Sequence, residues 1–279
     1  MKNGRWTNEE LEILKENYGT KTAKELSNIL GRSKSAIQNK AHELQLEKDD
    51  KTFYNKQYFK EINTYDKAYW LGFIYADGYI VFNEKQRNYE IGMELNTRDI
   101  EHLKKFNKSL EGNIQVKERD RQPSPLLKSH GVFKTMKTCL IRLYSKEMVS
   151  DLINAGIEQN KTNKDIFPVM SNEELTWAFI RGFFDGDGHI CLPNETGYGY
   201  RIGFTCKNKI FLEYLQDFFN KYEIESYINL VRKDEDVLRL EIRGKKDILI
   251  YLENLYKYGD ISLDRKNIKH LELYNVLRQ

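Results

Sequence analysis

From about residue 65 onward, the spacing of apolar positions switches repeatedly between the helical period and the strand period. The pattern predicts a helix over 65–77, strands at 79–84 and 88–95, a helix over 97–110, strands at 113–120 and 138–144, and a helix over 145–155. The same order then recurs. Ser171 with Glu174 is placed to cap a helix running to 186, strands follow at 189–193 and 199–206, then a helix over 208–221, strands at 226–232 and 236–243, and a helix over 245–257. Each half reads α-β-β-α-β-β-α, so the chain contains an internal repeat. The expected fold class is α+β: two pseudo-symmetric repeats, plus an N-terminal three-helix domain.

Residues 5–46 predict that small domain. Thr7 with Glu10 and Thr22 with Glu25 form two capping boxes, each followed by apolar residues at helical spacing. Gly31 is placed as a helix-ending glycine, and Ser33 opens a third helix whose inner face is Ile37, Ala41 and Leu44. Three short helices with a Gly-Arg-Ser turn before the last read as a helix-turn-helix unit. On a helical wheel the outward arc of helix three holds Arg32, Ser35, Gln38, Asn39 and His42, flanked by Lys34 and Lys40. These residue types read base edges and phosphates in a major groove. The expected division is therefore 1–46 as this module, 47–64 as a charged and aromatic linker, 65–165 as the first repeat and 166–279 as the second. The connection 121–137, rich in Lys, Arg and Pro, is longer than ordinary loops, a feature of functional or disordered segments.

The most informative feature is a short pattern that occurs twice, Trp70-Leu-Gly-Phe-Ile-Tyr-Ala-Asp-Gly78 and Ile180-Arg-Gly-Phe-Phe-Asp-Gly-Asp-Gly188. Residues four apart share one helix face, so Gly72 and Ala76 make one smooth patch and Gly182 and Gly186 another. Small residues in such a stripe let two helix backbones approach closely. If the patches face each other, Asp77 and Asp187, 110 positions apart in sequence, meet at the foot of the helix pair. Paired carboxylates there suit hard divalent cations.

Composition narrows the field without deciding it. The 279 residues are 40% apolar and carry a formal charge of only +3, so net charge alone argues weakly for a nucleic-acid partner. Three scattered cysteines offer neither a disulfide framework nor a zinc site, and the five histidines have no metal-ligand spacing. No run approaches a membrane span, and the N-terminus lacks a signal-peptide core, so a cytoplasmic protein is expected. A phosphate loop and a Gly-x-Ser-x-Gly nucleophile turn are both missing.

With the duplicated motif and the duplicated order of elements, residues 65–279 resemble the single-chain, two-motif LAGLIDADG homing endonucleases. The N-terminal unit resembles Myb/SANT-like helix-turn-helix modules through Arg5-Trp-Thr-Asn-Glu-Glu10 and Leu30-Gly-Arg-Ser-Lys-Ser-Ala-Ile37. The resemblance implies that the motif helices form the interface between the halves and that each half lays an antiparallel sheet in the major groove, together forming a DNA-binding saddle. It implies that Asp77 and Asp187 bind Mg²⁺ or Mn²⁺, with the carbonyls of Ala76 and Gly186 as lesser ligands. It also implies a basic residue near each metal, for which Lys161 and Lys266 are the candidates. One departure is the sixth motif position, Tyr75 in one copy and Asp185 in the other.

The expected activity is site-specific cleavage of both strands of a long double-stranded DNA site by a monomer. Expected sheet contacts to DNA are Arg87, Arg119, Arg121, Arg201, Lys207 and Lys233. Two alternatives remain open on the same scaffold: an intron RNA maturase, and a DNA-binding regulator that does not cut. An intein is not expected, because the printed ends lack its junction residues.

Overall fold

The structure, a computed structural model, describes residues 4–19, 21–46, 52–123, 125, 131, 133–159, 167–192, 199–232 and 237–279. It divides into two compact units, Met1–Phe53 and Tyr54–Gln279.

In the first unit, α1 (Asn8–Tyr18), α2 (Ala23–Leu30) and α3 (Lys34–Glu43) start where the caps predict. Thr7 and Thr22 each close a full capping box, and Ser33 accepts from the Ala36 amide. Gly31 has φ 69°, the left-handed conformation that ends α2 at low cost. Leu14, Leu26, Leu30 and Ile37 form a small core against which Trp6, Tyr18, Leu44 and Leu46 pack.

Arg32 corrects the sequence reading. It is buried rather than on the outward arc of α3. Its guanidinium pairs with Glu10 at 2.6 Å, donates to the Gly4 and Arg5 carbonyls at 2.9 and 3.0 Å, and lies over the Trp6 ring. So few apolar residues leave this core short of volume, and Arg32 supplies it while its charge is compensated by Glu10. Lys34, Ser35, Gln38 and Asn39 are exposed, and half-buried Lys40 pairs with Glu43.

In the second unit the order is α4 (Tyr65–Asp77), β1 (Gly78–Asn83), β2 (Asn88–Asn96), a 3-10 turn (Thr97–Asp99), α5 (Ile100–Ser109), β3 (Lys117–Arg121), β4 (Met136–Tyr144) and α6 (Lys146–Asn154). Then come α7 (Glu173–Asp187), β5 (Gly188–Cys191), β6 (Arg201–Cys206), α8 (Lys209–Asn220), β7 (Ser226–Arg232), β8 (Val237–Arg243), α9 (Lys245–Leu255) and α10 (Asp264–Arg278). The strands make two antiparallel sheets of the same order, β1-β2-β4-β3 and β5-β6-β8-β7.

Period-two alternation sends one side of the central strands into the core, such as Ile91, Met93 and Leu95 on β2 and Leu240 and Ile242 on β8, whereas the edge strand β3 is exposed along its length. The opposite face carries Glu90, Glu94 and Arg142 on the first sheet and Arg239, Glu241 and Arg243 on the second. The core runs without a break from α4 and α7 into both sheets, and it includes Trp70, Trp177, Phe73, Phe179 and Phe184. Tyr58 and Phe59, read as linker, are buried in it.

Two details differ from the sequence reading. The cap of α7 is Asn172, whose side chain accepts from the Leu175 amide, one residue after the expected Ser171. The last helix, α10, was not predicted. Its buried positions are Lys266, His270, Leu273 and Leu277, and two polar residues at inward positions conceal a helical face from an apolar-spacing argument.

Candidate active site

The two motif helices α4 and α7 pack face to face, and their glycines make that possible. A Cβ on Gly72 would run into the Phe179 carbonyl, and one on Gly182 into the Tyr69 carbonyl. Lower down, a Cβ on Gly186 would strike the Ala76 methyl and lie 3.4 Å from Asp77 Oδ2. Backbone therefore meets backbone along the pair, and the Asp77 carboxylate hangs beside the last turn of α7.

Each helix then turns abruptly into a strand. The Gly78 and Gly188 amides donate to the Ile74 and Phe184 carbonyls, with both glycines in extended conformation. Here glycine is needed for space: a Cβ would lie 2.8 Å from the Ile74 Cα or collide with the Phe184 ring. The sharp exits leave Asp77 half-buried and Asp187 exposed at one end of the helix pair.

Lys266, on the first turn of α10, completes the cluster. Its ammonium donates to the carbonyls of Phe184 (2.5 Å), Gly188 (2.7 Å) and Gly186 (3.1 Å). A cation at the C-terminal end of α7 meets the negative pole of the helix and its unsatisfied carbonyls. Burial pushes the Lys266 ammonium down to about 8, opposed by the charges of Asp185, Asp77 and Asp187. Both motif aspartates are thus within electrostatic reach of one lysine.

All three Lys266 N–H groups are spent on carbonyls, so the lysine supplies charge and has no proton left to orient a water. The Gly186 carbonyl, a lesser candidate ligand, is one of those acceptors. Lys161 lies outside the described residues.

Behind the aspartates lies a buried polar chain that the sequence did not reveal. Asp185 is fully buried, and its Oδ2 accepts from Tyr69 Oη at 2.6 Å and from the Leu263 amide at 2.7 Å. His102 Nε2 lies 3.1 Å from the same Tyr69 oxygen. The tyrosine's one hydrogen goes to Asp185, so His102 must donate through Nε2. Burial, with Lys105 adding to it, pushes the His102 imidazole down to about 3. Burial raises the Asp185 carboxyl to about 6, against the lowering effect of its hydrogen bonds and of Lys266 and Arg181.

These contacts form a reciprocal clasp. Asp185 on α7 holds the amide of Leu263 at the start of α10, and Lys266 on α10 holds the end of α7. The sixth motif position does related work in the first half, where Tyr75 donates to the Gly156 carbonyl just after α6. The departure noted there therefore preserves a tether to the segment that follows each half's last predicted helix.

Among the described residues, no group of three or more His, Cys, Asp or Glu side chains forms a metal cage. Two aspartates at one end of the helix pair nevertheless suit a hard divalent ion that takes one or two carboxylates and completes its shell with water and phosphate.

The expected DNA contacts are dispersed over the outer faces. Arg119 and Arg121 both engage Glu94, and Arg201 lies 3.7 Å from Glu241. Arg87, at φ 50°, sits exposed in the β1–β2 turn, and Lys207 is exposed after β6. Lys233 lies outside the described residues. No described helix is long and apolar enough to cross a membrane.

Residues 174–256 match the LAGLIDADG-like domain family. Among solved structures, the homing endonuclease I-WcaI bound to its DNA recognition sequence is 16% identical with a TM-score of 0.53, over 76% of this chain and 90% of that one. The structure of I-DmoI in complex with DNA and Ca is 17% identical with a TM-score of 0.49, over 77% of this chain and 99% of that one. Full-length DUF199/WhiA from Thermatoga maritima is 18% identical with a TM-score of 0.45, over 82% and 74%. No curated protein matches the chain. Residues 174–256 thus match a LAGLIDADG-like domain, and the mixed helix and antiparallel-sheet fold of the second unit is similar to that of I-WcaI.

Proposed function

We propose that this protein is a site-specific double-strand DNA endonuclease in which Asp77 and Asp187 hold divalent metal between two pseudo-symmetric halves. The observation that carries this reading is the convergence of both aspartates and Lys266 at one end of a glycine-packed helix pair. Two carboxylates at close range repel unless cations intervene, and DNA phosphates bring further negative charge. When bound there, a divalent ion supplies an acidified water and neutralises charge on the scissile phosphate.

The chain's own residues do the rest. Asp77 and Asp187 fix the ligand positions because the helix ends that carry them cannot separate. Lys266 adds a positive charge near the aspartates, lowering the cost of holding them together and of developing charge in the transition state. Asp185 and Tyr69 keep α10, and hence Lys266, seated on α7. The polar faces of the sheets meet DNA, and Lys34, Ser35, Gln38 and Asn39 on α3 give the N-terminal unit a second, helix-turn-helix grip that raises affinity through effective concentration.

The test is incubation of purified protein with DNA carrying the uninterrupted insertion locus, with Mg²⁺ and with chelator. Metal-dependent cleavage of both strands is expected. Splicing of a cognate intron without DNA cleavage would instead identify a maturase, and specific binding without cleavage a regulator.

A further inference from the structure

Resting on the reading that the sheet faces meet DNA, we propose that Arg119 on β3 and Arg243 on β8 each read a guanine in the major groove, held in reading geometry by Glu94 and Glu241. The two arginines sit on different sheets; Arg119 engages both oxygens of Glu94, and Arg243 gives both of its bonds to Oε2 of Glu241. Arg119 gives its Nε (3.0 Å) and Nη2 to the Glu94 carboxylate. Arg243 gives its Nε (3.2 Å) and Nη2 (2.6 Å) to Glu241. Both therefore bind carboxylate along the side edge of the guanidinium.

That geometry matters because a guanidinium has two forks. Occupying the Nε–Nη2 edge restrains the plane and, among the described residues, leaves the terminal Nη1–Nη2 fork without a carboxylate partner. This fork matches the O6 and N7 acceptors of guanine. The exposures agree: the arginine side chains are 43% and 46% accessible, whereas Glu94 and Glu241 are 12% and 5%. The acids lie beneath and the cations stand proud.

The glutamates are themselves firmly seated. Thr138 donates to Glu94 at 2.7 Å and Arg121 approaches at 3.4 Å. Glu241 has Arg239 at 3.5 Å and Arg201 at 3.7 Å. Each carboxylate is held below the ordinary range by these cations, against a burial effect that raises it, so it stays ionised. The Arg243 guanidinium also lies over the Tyr227 ring, which fixes its plane further.

Phosphate binding alone gives these acids no purpose, since a buried carboxylate under a phosphate-collecting surface weakens it. Rigid orientation of a planar fork is what base reading requires, and it reduces the side-chain entropy lost on binding.

The experiment is selection of bound sequences from a randomised duplex pool by the full-length chain in chelator, comparing wild type with Glu94→Gln and Glu241→Gln. Wild type should enrich one guanine position in each half of the selected site. Glu94→Gln should lose enrichment in one half only and Glu241→Gln in the other, by on the order of 10- to 100-fold. Each loss should come with unchanged or tighter binding to unselected duplex. Arg119→Lys and Arg243→Lys keep the charge without the fork, and should show the same losses if a glutamine variant fails to fold. Retained guanine enrichment in both folded glutamine variants, or in both lysine variants, would overturn the proposal while leaving DNA recognition intact. Absence of any enrichment by wild type would overturn the DNA-binding reading itself.

Discussion

Replacing Gly182 by alanine should cost stability even though alanine is the better helix former. In a helix interior the change alone gains about 1 kcal/mol. Against this, the new Cβ would lie 2.8 Å from both the Phe73 amide nitrogen and the Tyr69 carbonyl carbon, and closer still to the Tyr69 oxygen. Ordinary contact begins at 3.4 Å, so the helices must part by about 0.6 Å for the first two atoms and more for the oxygen. The obstacles are backbone, which cannot rotate away. Overpacking of this kind costs about 1–3 kcal/mol, and separation also loosens Phe73, Phe179 and Phe183 in the shared core. That loosening adds about 1 kcal/mol, which offsets the helix gain, so a net loss of roughly 1–3 kcal/mol is expected, lowering the melting temperature by about 3–10 °C for a unit of this size. The assay is thermal and urea unfolding, with Gly199→Ala as the control, since a Cβ there meets nothing within 4 Å. A Gly182→Ala protein as stable as wild type, or more so, would refute the close-packed helix interface.

Further outcomes follow from the buried charges. Arg32→Ala strands Glu10 in the small core and should destabilise the N-terminal unit by about 3–5 kcal/mol, as broken buried pairs do; circular dichroism and amide exchange over residues 4–46 would contradict this by showing native protection. Lys266→Met removes the cation beside Asp77 and Asp187, so Mg²⁺ should raise the melting temperature of this variant more than that of wild type; equal shifts in scanning calorimetry would argue against the clasp as a counter-charge. Burial lowers His102 to about 3 and His189 and His270 to about 4, so at mildly acidic pH the unfolded chain binds more protons and stability falls as pH drops below the unfolded value near 6.5. Asp185, raised to about 6, opposes this with a single proton between that value and its ordinary 3.8. His102→Gln should therefore flatten the stability–pH profile between pH 4 and 6 by about 1.4 kcal/mol per pH unit; an unchanged slope in urea titrations would show that His102 is not buried neutral.

The sequence revealed the motif helices because glycine spacing and terminal Asp-Gly are local signals with direct physical meaning. It revealed the strands because alternation sorts core from surface without reference to partners. It failed where an inward position is polar. Arg32 looked like a surface residue until Glu10, 22 positions earlier, supplied its counter-charge. Helix α10 was hidden because Lys266 and His270 occupy core-facing turns, and each is accommodated by groups distant in sequence. The chain His102–Tyr69–Asp185–Leu263 joins four separate segments, so no spacing rule could disclose it. The arginine–glutamate clamps were barely legible: Arg119 was named but Arg243 was not, and which acid held each depended on strand register.

The most direct measurement of the central claim is strand-resolved cleavage of target DNA by Asp77→Asn, Asp187→Asn and the double variant, alongside their binding to the same DNA. The account predicts that the double variant binds with near wild-type affinity in chelator and leaves both strands intact with Mg²⁺. Cleavage by the double variant at the wild-type rate would contradict it.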